Sequence, residues 1–211
     1  MDKNTRIEGI IEILEKEYPM ATTALRYRNP LQLLISTILS AQCTDERVNE
    51  VTKGLFRKYK TAEDFTNSNI NELENMIKST GFYRNKARNI RNCCKTLVEK
   101  FNSKVPDTIE ELIKLPGVAR KTANIVLYHA YGKNEGIAVD THVRRLSKRI
   151  GLSNEKNPDK IEQDLMKLVP REKWGEFSDL LILHGRNVCI ARKPRCIECK
   201  INKFCESAFS P

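Results

Sequence analysis

Four cysteines near the end of the chain, Cys189, Cys196, Cys199 and Cys205, fall within seventeen residues in the spacing C-x6-C-x2-C-x5-C. Sulfur donors this dense constrain the segment more than any helix or strand preference does. A [4Fe–4S] cluster takes four cysteine thiolates. A structural zinc ion can also take four, usually as two short C-x2-C pairs, but the only such pair here is Cys196 with Cys199. Disulfides require an oxidising compartment. The start of the chain, MDKNTRIEGIIEIL, carries acids and no apolar h-region, so it reads as neither a secretory signal nor a transit peptide. Ligand chemistry and compartment together favour a cluster over zinc, and either over disulfides. Arg192, Lys193 and Arg195 lie between the first two cysteines. A cluster wrapped by cations suggests a metal used to shape a nucleic-acid-binding surface.

The charge balance agrees. Lys and Arg total 37 against 27 acids among 211 residues, a formal charge of +10. That excess favours polyanions, of which DNA and RNA are the commonest. Hydrophobic residues at 40% and charged residues at 30% are those of an ordinary globular protein, and no apolar run is long enough to span a bilayer. The expectation is a cytoplasmic protein with no membrane association. The remaining cysteines, Cys43, Cys93 and Cys94, read as buried or half-buried free thiols. Neighbours on a helix point about 100° apart, which makes Cys93 and Cys94 poor joint ligands.

Helical periodicity dominates, and strand signals are scarce. Ile7, Ile10, Ile11 and Leu14 repeat at i, i+3, i+4, i+7 and mark an amphipathic helix. Pro30 opens an apolar helix from Leu31 to about Gln42. Further helices are expected over 45–59, over 70–79 before Gly81, and over 83–101. Thr108 and Glu111 form a T-x-x-E capping box for a short helix ending at Leu115. Helices to about Tyr131 and over 141–150, 159–169 and 172–183 complete an all-α chain. Any domain boundary must lie in short loops, near 20–25 and 132–138.

Two segments carry candidate chemistry. In Leu115-Pro-Gly-Val-Ala-Arg-Lys-Thr-Ala, a hairpin joins two helices and aims backbone N–H groups from a helix N-terminus, where phosphate binds through free donors and the helix dipole. Gly117 permits close backbone approach. Lys121 stands in the first turn of the second helix, the wrong end for a cation, with Arg120 beside it. Both neighbours favour the neutral amine. A free lysine is only about 0.1% neutral near physiological pH, and a nucleophilic lysine needs such help. Asp140 precedes a helix and would cap it. A carboxylate held there can also stabilise a sugar oxocarbenium.

Lys121 in LPGVARKTA, Asp140 in IAVDTHVRRL and the cysteines in LHGRNVCIARKPRCIECKINKFC resemble the endonuclease III family of DNA glycosylases, helix-hairpin-helix enzymes with a [4Fe–4S] cluster. The resemblance extends over nearly the whole chain, including LLISTILSAQCTD. It implies a six-helix domain over 23–134 and a cluster domain made of 1–22 and 135–211, with a DNA-binding cleft between them. It implies excision of oxidised pyrimidines from duplex DNA by a monomer, and strand cleavage by β-elimination at the abasic site. The carry-over makes Lys121 the nucleophile at the sugar C1′ and Asp140 its electrostatic partner. Cys189, Cys196, Cys199 and Cys205 become the cluster ligands.

The lesion must leave the duplex to reach such a site. Gln42 in SAQ matches the residue that plugs the gap. Phe82 occupies a wedge position where the family commonly has leucine, although a core aromatic fits that position equally well. Gly117, Val118, Ala119 and Arg120 would form the hairpin's phosphate contacts, with Arg144 and Lys193 adding charge. Arg144 and Arg145 are both candidates to reach phosphates, although a solvated helix face is the simpler reading for at least one of them. His142 and Trp174 read more simply as packed residues. Ala119 replaces the family's usual glycine, a change without cost if the backbone there is helical. Two rivals remain: an adenine-specific mismatch glycosylase, which would lack a lysine at the position of Lys121, and a non-catalytic iron–sulfur DNA-binding module.

Overall fold

The computed structural model describes residues 3–209, with side chains from Thr5 onward. The outermost positions of the expected cluster domain, 1–2 and 210–211, lie outside the described residues. Eleven α-helices and three 3-10 turns account for the regular structure of the described residues, which contain no strand. No described helix is long and apolar enough to cross a membrane. The chain divides into two compact units, with breaks after Thr23 and after Lys133.

The unit Ala24–Lys133 holds α2 (Pro30–Leu39), α3 (Asp45–Lys58), α4 (Ala62–Thr66), α5 (Ile70–Ile77), α6 (Tyr83–Lys100), α7 (Ile109–Leu112) and α8 (Arg120–Tyr131). Its core is one apolar cluster built on Leu33, Leu34, Leu55, Phe65, Leu73, Ile90, Leu97 and Leu127. Helix α2 is apolar nearly all round, and Leu33 to Leu39 are all buried. It ends at Leu39, three residues before the expected Gln42, because Gln42 adopts a left-handed φ of 52°. A side chain at positive φ cannot continue a right-handed helix. Helix α4 is too short to show a period in sequence. It is defined by a reciprocal capping box, in which Asp64 N donates to Thr61 Oγ1 at 3.2 Å and Thr61 N donates to Asp64 Oδ2 at 3.0 Å. The capping box expected at Thr108 and Glu111 forms differently. The Thr108 hydroxyl donates to the Glu111 carboxylate at 3.0 Å, and no side chain caps the α7 backbone.

The second unit joins the chain up to Thr23 to the chain from Asn134 onward. It contains α1 (Lys3–Glu17), α9 (Thr141–Ile150), α10 (Pro158–Leu168) and α11 (Trp174–Asn187). The α1 stripe of Ile7, Ile10, Ile11 and Leu14 packs with Val143, Leu146, Ile161, Leu165, Phe177 and Leu181 in a separate core. Phe204 closes this core from the C-terminal segment against Gly9, where an added Cβ would lie 2.6 Å from the ring. Helix α11 runs four residues past the expected 183, which brings His184 inside. Trp174 packs against this core and donates its ring N–H to Val169 O at 2.9 Å.

Thr61 and Asp64 supply the two halves of the capping box at the start of α4, and Thr61→Ala removes one of them. We expect a loss of about 1 kcal/mol, read as a lower urea midpoint with an unchanged slope.

Candidate functional site

The hairpin between α7 and α8 is set by two backbone bonds, Leu115 N to Leu112 O and Val118 N to Leu115 O, both 3.1 Å. Gly117 takes φ +79°, and a Cβ there would lie 2.9 Å from Asn89 Cβ on α6. Only glycine fits both constraints. Val118 is buried in the core, and its N–H is committed within the turn. It therefore anchors the hairpin and offers no free donor. Ala119 is extended, with φ −97° and ψ 171°, rather than helical. A negative φ still spares alanine any penalty. Its methyl cannot cap, and α8 begins with no side-chain cap hydrogen bond. Lys121 follows, half-buried in the first turn of α8.

Asp140 is placed by what precedes it. Ile137, Ala138 and Val139 are buried, not as a strand but as an irregular segment. Ser178 on α11 donates its hydroxyl to Ala138 O at 2.8 Å. Asp140 then caps α9: its Oδ1 accepts from His142 N and Val143 N, each at 2.8 Å. Both cap bonds fall on one oxygen, so the cap does not consume the other. His142 is half-buried with Nδ1 3.1 Å from Arg145 Nη2. Burial lowers its pKa, and the cations Arg145 and Arg186 add to that, while Asp140 opposes them.

The two neighbouring arginines of α9 part company. Arg144 is exposed. Arg145 turns inward to Gly185 O at 2.9 Å and Cys189 O at 3.0 Å, so it ties α9 to the cysteine segment and is not spare for a phosphate. One turn later Arg149 continues the clamp. Its guanidinium donates to Ile190 O at 2.8 Å and Ala191 O at 3.0 Å and lies 3.4 Å from Cys189 Sγ.

Cys189, Cys196, Cys199 and Cys205 line one small cavity together with Arg149, Pro194 and Asn202. All four are half-buried free thiols, so the disulfide reading fails among the described residues. Cys205 Sγ donates to Arg149 O at 3.3 Å, and Cys199 Sγ lies 3.4 Å from His184 Nε2. Burial pushes the Cys199 thiol up to about 11 and raises Cys205 as well. Burial also lowers His184 to about 4, which makes it a neutral neighbour. Lys193 is exposed at φ 56°, as are Arg192 and Arg195, the last of which also borders the cavity. Of the other cysteines, Cys93 and Cys94 are buried and Cys43 half-buried, each a free thiol. Burial raises Cys93 to about 12.

Gln42 and Phe82 are both exposed, each at the tip of a turn that departs from right-handed backbone. Phe82, at φ 47°, follows Gly81 at φ 71° and is 64% exposed, which excludes the core-aromatic reading. A neighbouring residue escaped the sequence reading. Lys86 on α6 is 4% exposed and donates from Nζ to Leu39 O at 2.8 Å and Thr80 O at 2.7 Å. Its one signal in sequence is its place on the apolar stripe Lys86, Ile90, Cys93, Leu97, where a solvated lysine has no business.

Residues 35–171 match the family described as HhH-GPD superfamily base excision DNA repair protein. The endonuclease III of Synechocystis is 54% identical over 98% of this chain and 94% of its own length. Those of Bacillus subtilis and Escherichia coli are 45% and 42% identical over 95% and 98% of this chain, covering 91% and 97% of their own lengths. Two solved structures, a non-covalent endonuclease III–DNA complex and a trapped endonuclease III–DNA covalent intermediate, each superpose with a TM-score of 0.94 at 44% identity. Each covers 99% of this chain, and 97% and 98% of the solved chains are matched in turn. With its cysteine loop, its hairpin and its all-α architecture, the chain belongs to the endonuclease III family of base excision repair DNA glycosylases with abasic-site lyase activity.

Proposed function

We propose that the chain, as a monomer inside the cell, excises oxidised pyrimidines from duplex DNA and cleaves the strand at the resulting abasic site, with Lys121 as nucleophile. The observation that carries this reading is the start of α8. A helix N-terminus without a side-chain cap has acceptor-seeking N–H groups, and a half-buried lysine stands in its first turn.

The Lys121 amine donates its lone pair to C1′. The C1′–N bond breaks, and its electrons leave with the base. The sugar ring opens to a Schiff base on Lys121. Loss of a C2′ proton then expels the 3′ phosphate, and water releases the enzyme. Asp140, held by two backbone N–H groups, is the fixed carboxylate that stabilises the cationic sugar. Its preorganisation costs nothing during the reaction, because the α9 cap has already oriented it. Gln42 and Phe82 fill the gap left by the flipped nucleotide, and an aromatic wedge can stack between bases. Gly117, Ala119 and Arg120 line the phosphate path, Val118 anchors it, and Arg144 and Lys193 add positive charge. In this reading Ala24–Lys133 is the helix-hairpin-helix domain, and the other unit is the cluster domain.

The cysteine loop suits a [4Fe–4S] cluster. Four thiols line one cavity, which is the donor set that a [4Fe–4S] cluster takes. Arg149 lies against Cys189 Sγ and can offset thiolate charge. When bound, the cluster supplies four iron–thiolate bonds that fix the loop bearing Lys193, not chemistry at the sugar.

Three predictions test these roles. Lys121→Ala abolishes both excision of thymine glycol and strand cleavage while duplex affinity persists. Asp140→Asn keeps the cap and slows single-turnover excision roughly a hundredfold with little change in Tm; activity near that of the parent in either variant contradicts the assignment. Purified protein carries about four iron and four acid-labile sulfide, and Cys199→Ser lowers both and exposes segment 189–205 to protease; stoichiometric zinc instead would refute the cluster.

A further inference from the structure

We infer that Lys86 is a positioning residue that locks the turn carrying Gln42 to the turn carrying Phe82, so that the two side chains enter DNA as one preset tool. The inference rests on the reading of Gln42 and Phe82 as duplex-filling residues.

Burying a lysine is costly unless its ammonium is well bonded. Both partners of Lys86 are main-chain carbonyls at the ends of helical segments. Leu39 is the last residue of α2, and Thr80 is the last residue of the 3-10 turn Lys78–Thr80. The last carbonyls of a helix have no internal partner, and that end of the dipole favours a cation. Lys86 answers both needs with one group. Three residues beyond Leu39 stands Gln42 at φ 52°, and two residues beyond Thr80 stands Phe82 at φ 47°. Non-glycine residues hold left-handed backbone only where the surroundings impose it. The Nζ bonds fix the roots of both turns and leave their tips exposed. Lys86 N also donates to Phe82 O at 3.1 Å, so the same residue forms the first helical bond of α6 behind the wedge. A polar side chain at either tip could not tie the two together without being consumed itself.

The test compares the parent with Lys86→Met, which keeps bulk and loses the donors, and with Lys86→Arg, which keeps donors and charge should the methionine fail to fold. Amide exchange in the free proteins is the first readout. In Lys86→Met we expect exchange at 41–43 and 81–83 to rise together by roughly tenfold, with the hairpin amides at 117–121 unchanged; Lys86→Arg restores slow exchange at both turns at once. Acceleration at one turn only, or at neither, overturns the lock. The second readout is single-turnover excision in the background Gln42→Ala/Phe82→Ala. If Lys86 acts through those side chains, Lys86→Met slows excision in the parent and has no further effect in that background. Multiplying effects there would show a general structural role and overturn the inference. If the double alanine variant alone leaves excision unchanged, the duplex-filling reading itself fails, and the exchange data still decide the lock by themselves.

Discussion

Every helix begins with backbone N–H groups that no residue of its own can satisfy, and a protein made only of helices meets this constraint at each element. Here most starts are closed by a side chain. Asn29, Thr44, Thr61, Asn69, Asp140 and Asn157 each accept from the first turn of α2, α3, α4, α5, α9 and α10. Helices α6, α7, α8 and α11 begin instead on Phe82, Thr108, Ala119 and Lys173 with no side-chain cap bond. Forgoing a cap costs about 1 kcal/mol. Two of these four open starts, those of α6 and α8, fall where DNA contacts are expected. At α8 the missing acceptor is one that a phosphate can supply; at α6 the cap position carries an exposed aromatic ring in place of a polar group.

A second economy concerns arginine and lysine. Among the cations spent on main-chain carbonyls are Lys86 on Leu39 and Thr80, Arg145 on Gly185 and Cys189, and Arg149 on Ile190 and Ala191. Each holds a segment of irregular backbone that regular structure cannot hold. The cysteine segment has little apolar material of its own beyond Ile201 and Phe204, so the two arginines of α9 and whatever the four thiols bind must define its path. Cations such as Arg144, Arg192 and Lys193 stay outside, available to a polyanion.

Much of this was legible in the residues. The period of Ile7, Ile10, Ile11 and Leu14 gave α1, and the aspartate before a helix gave the α9 cap. The cysteine comb was legible as a cage of thiols, though spacing alone left zinc and disulfides open. What sequence could not resolve depended on direction and context. Arg144 and Arg145 are adjacent and alike, but a step of about 100° around the helix sends one to solvent and the other to Cys189. Phe82 could have been core or wedge, because burial tendencies do not see the left-handed turn at Gly81 that pushes it out. The end of α2 at Leu39 was hidden by the continuing sequence Ser40-Ala41, which is compatible with helix. Lys86 was not singled out, because lysine is usually a surface residue; only its place on an apolar stripe betrayed it.

The most direct test of the central claim is to trap the enzyme on an abasic duplex with borohydride, digest the adduct and map the sugar-bearing residue by mass spectrometry. A single modified peptide from the start of α8, with the sugar on Lys121, is the expected result. An adduct on any other lysine or on the terminal amine would contradict it, and so would efficient strand cleavage with no adduct at all.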